Sequence, residues 1–427
     1  MKGAAVALLG LGACVAGNPP AASFDPDRLG GSLVPPGCAA PLVTRPGAEA
    51  PALPGPVRGA DPTVVQVHLD IVDDPRTSMA VVWRTADDVT TTGRVRFGAA
   101  DALDRDAPGL HFSYVTEFGN GDVVRMHEAH LCGLAPDTVY SYQIESDAEH
   151  RSPVYTFRTA PDVAQMPDAE IAFAAVGDSR GGYAVWARMI DQMIARDVDL
   201  VVFSGDAVFF GQAQDEWDQF FTTAEPLFTR VPVVSVHGNH EVNAPNFYAQ
   251  FAMPGDEENF GFDYGHAHQL VVNDSPEVLD DLTGKLPAFM AAELAAHATA
   301  PWLIVNHHRG LYSTGAGHGS DTTLRAAWGP VFDQAGVDLV LNGHDHDYER
   351  TKPLRGEAIQ PTAADGTIYV VSGGAGAPLH ANGASAWTET SASLHSATVV
   401  RVRAGQLGLE AFDDAGAPVD AFTIVRP

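Results

Sequence analysis

Short apolar runs recur through the second half of the chain, separated by stretches in which apolar residues fall at helical spacing. The runs are IAFAAV (171–176), LVVFS (200–204), VPVVSV (231–236), WLIV (302–305) and VDLVLN (337–342). Each is short, unbroken by charge or bounded by it, and rich in β-branched residues, as strands buried on both faces are. Between them, Trp186, Met189, Ile190, Met193 and Ile194 fall at i, i+3, i+4, i+7 and i+8 and predict a helix with one core face. Further helices are expected at 215–228, 285–297 and 323–336, and terminal hairpins over 396–425. Strand and helix alternation predicts an α/β domain over 169–427, with two packed β-sheets flanked by helices.

A different pattern precedes it. From 61 to 160 the chain alternates in short strands, among them VVQVHLDIV, SMAVVWRT, GRVRFG, TVYSYQIES and VYTFRTA, which predict an all-β sandwich with Trp83 in its core. Residues 18–60 are rich in Pro, Ala and Gly and read as an extended tether. Residues 1–17 hold one lysine, an apolar run and Leu11-Gly12-Ala13-Cys14, too short to span a bilayer. This stretch resembles a bacterial lipoprotein signal, which implies lipidation of Cys14 and a periplasmic or cell-surface protein held to the membrane by lipid alone. The alternative is a secretory signal cut near Ala16. Cys38 and Cys132 then remain, either as one disulfide or as two free thiols.

The chemistry sits where the apolar runs stop. Gly177-Asp178, Gly205-Asp206, Gly238-Asn239-His240-Glu241, Asn306-His307-His308 and Gly343-His344-Asp345-His346 each place a carboxylate, amide or imidazole at a strand end, where open α/β sheets bind ligands. Two metal ions roughly 3.5–4 Å apart need one bridging carboxylate and several monodentate ligands from distant parts of the chain. This mixture of imidazole and carboxylate suits iron, zinc or manganese.

The series resembles the calcineurin-like metallophosphoesterase superfamily, and GHDHDYER (343–350) with the upstream sandwich resembles its purple acid phosphatase branch. The α/β domain is then an α/β/β/α sandwich. Leu134 to Tyr140 resembles the tyrosine corner of fibronectin type III domains. The resemblance implies that Asp178 and His346 hold the first metal, that Asp206 bridges, and that Asn239, His308 and His344 hold the second. It implies further that His240 donates to a phosphoryl oxygen and that His318 protonates the leaving alkoxide; a solvated loop histidine is the other reading of His318. Adjacent strand residues face opposite ways, so only one of His307 and His308 reaches the metals, and alignment with the family favours His308.

Two positions depart from the pattern. Superfamily members commonly carry a histidine two residues after the first Asp, where Arg180 stands here, and purple acid phosphatases instead carry a tyrosine three residues after the bridging Asp, where Phe209 stands. Neither can ligate, since guanidinium has no lone pair to offer and phenyl no heteroatom. The first metal is expected to be held more weakly, without tyrosinate colour. Arg180 either contacts a substrate phosphate or forms a salt bridge. His237 reads as an orienting, core or metal-binding residue, and His266 and His268 as structural. Asp345 and Asp347 are expected to orient imidazoles or meet solvent, and the Gly-rich stretch after residue 372 to form a turn.

With 54 acidic and 25 basic residues the chain carries a formal charge of −29, a poor surface for nucleic acid or anionic lipid. The expected function is hydrolysis of small phosphate monoesters. The alternatives are diester hydrolysis at the same metals, or a surface lipoprotein that binds without turnover at a degenerate site.

Overall fold

A computed structural model describes residues 31–35, 37–38, 42–44, 58–87, 90, 92–116, 122–275 and 281–426. The signal expected over residues 1–17, and most of the tether over 18–60, lie outside them. Within the tether, Gly31–Leu33 and Leu42–Thr44 pair as an antiparallel ribbon, and Cys38 forms a disulfide with Cys132. So part of that stretch is fastened to the sandwich that follows, rather than extended.

The sandwich contains β1 (Val65–Asp70), β2 (Ser78–Thr85), β3 (Arg94–Ala99), β4 (Arg105–Pro108), β5 (Leu110–Val115), β6 (Val123–Cys132), β7 (Val139–Glu145) and β8 (Tyr155–Arg158). Its two sheets run β8-β7-β3-β4 and β1-β2-β6-β5. Trp83, Val81, Leu69, Val95, Tyr142 and Ile144 fill the space between them. Alternate residues of the second sheet, Ala80, Val82, Phe112 and Met126, pack the other way against Ala249 and Ala252. That double burial explains why β2 lacks a polar face. Tyr140 forms the expected corner, its Oη accepting the Ala135 N–H at 2.8 Å.

The α/β part begins with β9 (Ile171–Val176), α1 (Tyr183–Ala195), β10 (Leu200–Phe203), α2 (Gln214–Phe228), β11 (Val233–Ser235) and α3 (Pro245–Gln250). It continues through β12 (Asn259–Tyr264), β13 (Ala267–Val272), α4 (Leu286–Ala296), β14 (Trp302–Asn306), α5 (Thr322–Ala335) and β15 (Leu339–Asn342). β16 (Tyr348–Thr351), β17 (Ile368–Ser372), β18 (Thr388–Ala392) and the hairpins β19 (Ser396–Arg403), β20 (Gln406–Asp413) and β21 (Pro418–Val425) complete it.

One sheet runs β12-β13-β14-β15-β17-β16-β18. The other does not end with the domain: β21-β20-β19-β9-β10-β11 continues directly into β1-β2-β6-β5 of the sandwich, through Val233 opposite Asp70. Ile304, Leu339 and Leu341 face the core shared with Phe173, Val201 and Phe203. Val305 and Val340, one residue out of phase, face α4 and α5 through Met290, Leu294, Trp328 and Phe332, as the two-residue period requires. Burying a side chain of this size stabilises the fold by roughly 1.5–3 kcal/mol. The caps of α5 fix its limits: Asp321 accepts from the Thr323 and Leu324 N–H groups, and Gly336 ends it at φ 72°.

Candidate metal centre

The parallel strands β9, β10, β14 and β15 all point their carboxyl ends at one place, and β11 brings the Asn239 loop there. Three of the expected ligands sit in the left-handed backbone region, Asp178 at φ 64°, Asp206 at φ 58° and His344 at φ 71°. Such conformations cost on the order of 1–3 kcal/mol each and persist only where the surroundings enforce them. Here the surroundings are hydrogen bonds. Asp178 Oδ2 accepts the His344 N–H at 2.9 Å, Asp206 Oδ1 accepts the His240 N–H at 2.9 Å, and Glu241 accepts the N–H groups of Asp206, Ala207 and Gly238. Close approach also dictates two glycines: a Cβ on Gly238 would lie 2.3 Å from Asp206 Oδ1, and one on Gly343 would lie 2.4 Å from Asp178 Oδ2.

Asp206 divides its oxygens between two sides. Oδ1 faces His308 Nε2 at 3.3 Å, and that nitrogen lies 3.0 Å from Asn239 Oδ1 and 3.1 Å from His344 Nδ1. His308 gives its Nδ1–H to the Ser204 carbonyl at 2.7 Å, which turns Nε2 toward this cluster. His307 points the other way, to Asp274 at 3.0 Å. On the second side, Asp206 Oδ2 meets Arg180 Nε at 3.2 Å, and His346 Nε2 lies 3.5 Å from Asp178 Oδ1. His346 is oriented by donating from Nδ1 to the Pro378 carbonyl at 2.6 Å.

The donor set fits cations. Asp178 Oδ1 is buried with no hydrogen-bond partner among the described residues. Burial alone would raise Asp206, yet the His308 charge and the His240 N–H hold it well below the carboxylate range. Burial likewise opposes a charge on His308, but the adjacent Asp206 carboxylate raises it to about 10. His344, buried and facing His308, is pushed down to about 2. A carboxylate, an amide oxygen and two imidazoles that draw a proton into their midst will accept a divalent ion in its place. Asp206, His308 and His344 bring their ligand atoms within 4.8 Å of one another.

Around this ring stand the residues expected to meet substrate. His240 donates from Nδ1 to the Phe209 carbonyl at 2.7 Å and turns Nε2 to within 3.8 Å of Asp206 Oδ2. The exposed His318 stacks on His344 with ring centroids 3.7 Å apart. Arg180 is 8 % exposed and lies among the ligands, not at the surface. Phe209 is 44 % exposed, with Arg180 Cζ 5.5 Å from its ring.

Other expectations are refined. His237 accepts the Asn243 N–H and packs on Phe247, a local structural role. Asp345 holds the imidazole of His380 and also gathers the 313–319 loop, accepting from Ser313 Oγ and the His318 and Gly319 N–H groups. His380 was not anticipated: it stacks on His346 at 4.0 Å and pairs with Asp345 at 3.1 Å. The Gly-rich stretch that delivers it does more than turn, since Pro378 carries the carbonyl that aims His346. Elsewhere, Asp263 and His297 lie beside His268 in a second group with metal-ligand character, a setting the sequence pattern alone did not reveal.

Residues 64–159 match the purple acid phosphatase N-terminal domain and residues 171–348 the calcineurin-like phosphoesterase domain. The chain is 28 % identical to purple acid phosphatase 21 of Arabidopsis thaliana over 73 % of this chain and 71 % of that protein. Acid phosphatase type 7 of Homo sapiens is also 28 % identical, over 73 % and 77 %. Probable inactive purple acid phosphatase 24 of Arabidopsis thaliana is 30 % identical over 59 % and 49 %. The fold matches purple acid phosphatase PPD1 from yellow lupin seeds with a TM-score of 0.76 at 21 % identity, over 85 % of this chain and 74 % of that one.

Proposed function

The chain is a metal-dependent phosphoesterase of the calcineurin-like superfamily, carrying a purple acid phosphatase N-terminal domain, and we propose that it hydrolyses small phosphate monoesters outside the cytoplasm. The observation that carries this reading is the split posture of Asp206, Oδ1 beside His308 Nε2 and Oδ2 on Arg180, whose other nitrogen meets His346 next to Asp178. When bound, a pair of metal ions supplies an acidified water and neutralises phosphoryl charge. Iron, zinc or manganese suits these donors.

The protein's own groups do the rest. His240 has committed Nδ1 to the Phe209 carbonyl, so its Nε2, when protonated, is the nitrogen that donates to a phosphoryl oxygen. His318, exposed and stacked on His344, gives a proton to the leaving alkoxide, a role that typically accelerates such steps by ~10²–10⁴.

Export is supported by the Cys38–Cys132 disulfide, a bond that persists in oxidising compartments, and by the signal-like residues 1–17 with Cys14 as a lipid attachment point. Among the described residues no helix is long and apolar enough to cross a membrane.

The test compares turnover of an aryl monophosphate with that of a bis-aryl phosphate by the metal-loaded protein, with Asn239→Ala as control. Monoester preference abolished by Asn239→Ala supports the proposal. Diester preference replaces the substrate class, and no turnover with iron, zinc or manganese leaves a binding protein.

A further inference from the structure

The Arg180 guanidinium stands where three ligands meet. Its Nε lies 3.2 Å from Asp206 Oδ2 and its Nη2 3.0 Å from His346 Nε2. His346 has donated from Nδ1 to Pro378, so Nε2 carries a lone pair and accepts from Arg180. Asp178 Oδ1, buried and unpartnered, lies 3.5 Å from that same Nε2. Asp178, Asp206 Oδ2 and His346 are the donors assigned to the first metal ion, and a side chain that never loses its charge is inserted among them. Among the described residues, no arginine or lysine pairs with the other side, made of Asp206 Oδ1, Asn239, His308 and His344.

We propose that Arg180 is a resident cation in the first-ion position, so that the two positions load unequally. One ion enters the Asn239–His308–His344 side with no resident guanidinium to displace. An ion on the Asp178–His346 side must expel the guanidinium, losing its bonds to Asp206 and His346. Charge makes the device workable: the guanidinium offsets the Asp206 carboxylate while that position holds no ion. Phe209 supplies the way out. Its exposed ring, already 5.5 Å from Arg180 Cζ, offers a cation–π surface on the open side, where the expelled fork would meet phosphate oxygens. The proposal rests on the phosphoesterase reading of the site, but its readout is metal content and does not depend on turnover.

The experiment counts zinc or manganese per chain after gel filtration and measures each affinity by calorimetry. A His297→Ala background removes a ligand from the separate Asp263–His268–His297 group. The wild-type centre should retain one ion tightly and bind a second on the order of 10- to 100-fold more weakly, the range by which partners of metal ligands change affinity. Arg180→Ala and Arg180→Gln should narrow that gap. Arg180→His, which adds a donor, should retain two ions, and Arg180→Lys should behave as wild type. Thermal unfolding identifies which variants fold, and any one folded neutral variant is enough. Two equally tight ions in the wild type, or a folded neutral variant whose second ion binds no better, would overturn the proposal. Retention of no ion by any form would overturn it together with the phosphoesterase reading, whereas unequal loading without turnover would leave it standing alone.

Discussion

The Glu241 carboxylate accepts the backbone N–H of Asp206 at 2.9 Å, and it also takes the N–H groups of Ala207 and Gly238. It therefore pins the left-handed turn that aims the Asp206 carboxylate. Burial, reinforced by the Asp206 charge, raises Glu241 to about 7. Glu241→Ala leaves three buried donors without an acceptor, at roughly 1–3 kcal/mol each where water cannot reach them. We expect a loss of about 3–5 kcal/mol in urea unfolding of the metal-free protein, and Glu241→Gln should lose less.

Gly343→Ala brings a methyl group to 2.4 Å from Asp178 Oδ2. Because that oxygen holds the His344 N–H, the clash displaces Asp178 and His344, two of the proposed ligands, together. Overpacking of this kind typically costs about 1–3 kcal/mol. The expected outcome is a modest drop in melting temperature with a disproportionate loss of retained metal, read by thermal unfolding and metal analysis of the same sample.

His318→Ala should lower kcat by about 10²–10⁴ on alkyl phosphates, where the leaving group needs a proton. On p-nitrophenyl phosphate, whose leaving group departs as a stable anion, the loss should be far smaller. An equal loss on both substrates would assign His318 to binding.

Asp338 is a pH-sensitive carboxylate remote from the centre. It is raised to about 6 by burial, against the Leu303 N–H and the Arg426 charge that favour its ionised form. Its folded-state value exceeds the unfolded one, so between about pH 4 and 6 the native state holds the extra proton, and stability falls as pH rises through that window. A shift of about two units sets the ceiling at about 3 kcal/mol. The pH dependence of unfolding free energy in wild type and Asp338→Asn should diverge between pH 4 and 7 by a total of at most about 3 kcal/mol.

The Cys38–Cys132 disulfide closes a loop between residues 94 positions apart, and such a constraint is worth about 2–4 kcal/mol. Cys38→Ser with Cys132→Ser, or reduction of the wild type, should lower the melting temperature. Metal content should not change, because neither cysteine touches the centre.

Much of this was legible from the chain itself. The apolar runs at 171–176, 200–204 and 302–305 became β9, β10 and β14 with their polar followers at the site, because hydrophobic period and length alone define such strands. The two-residue alternation separates His308 from His307 as expected, and Trp83 and Tyr140 fill their anticipated places. What stayed hidden depends on partners far apart in sequence. Period says which face of β1 is buried, not that Asp70 will lie opposite Val233. His380 follows a Gly-rich turn with no motif around it, and only the fold stacks it on His346. Arg180 could be read as a missing ligand, but its burial between Asp206 and His346 required the strands to be assembled.

The shared ten-stranded sheet gives the front module a task unrelated to catalysis. Val233 and its neighbours in β11 are a short valine-rich strand whose outer hydrogen-bonding edge is covered by β1. Severed after residue 160, the phosphoesterase half would present that edge bare, the kind of surface on which chains template one another. The segment leading to Asn239 would then lose its neighbour, so the phosphoesterase half relies on the front module to complete its sheet.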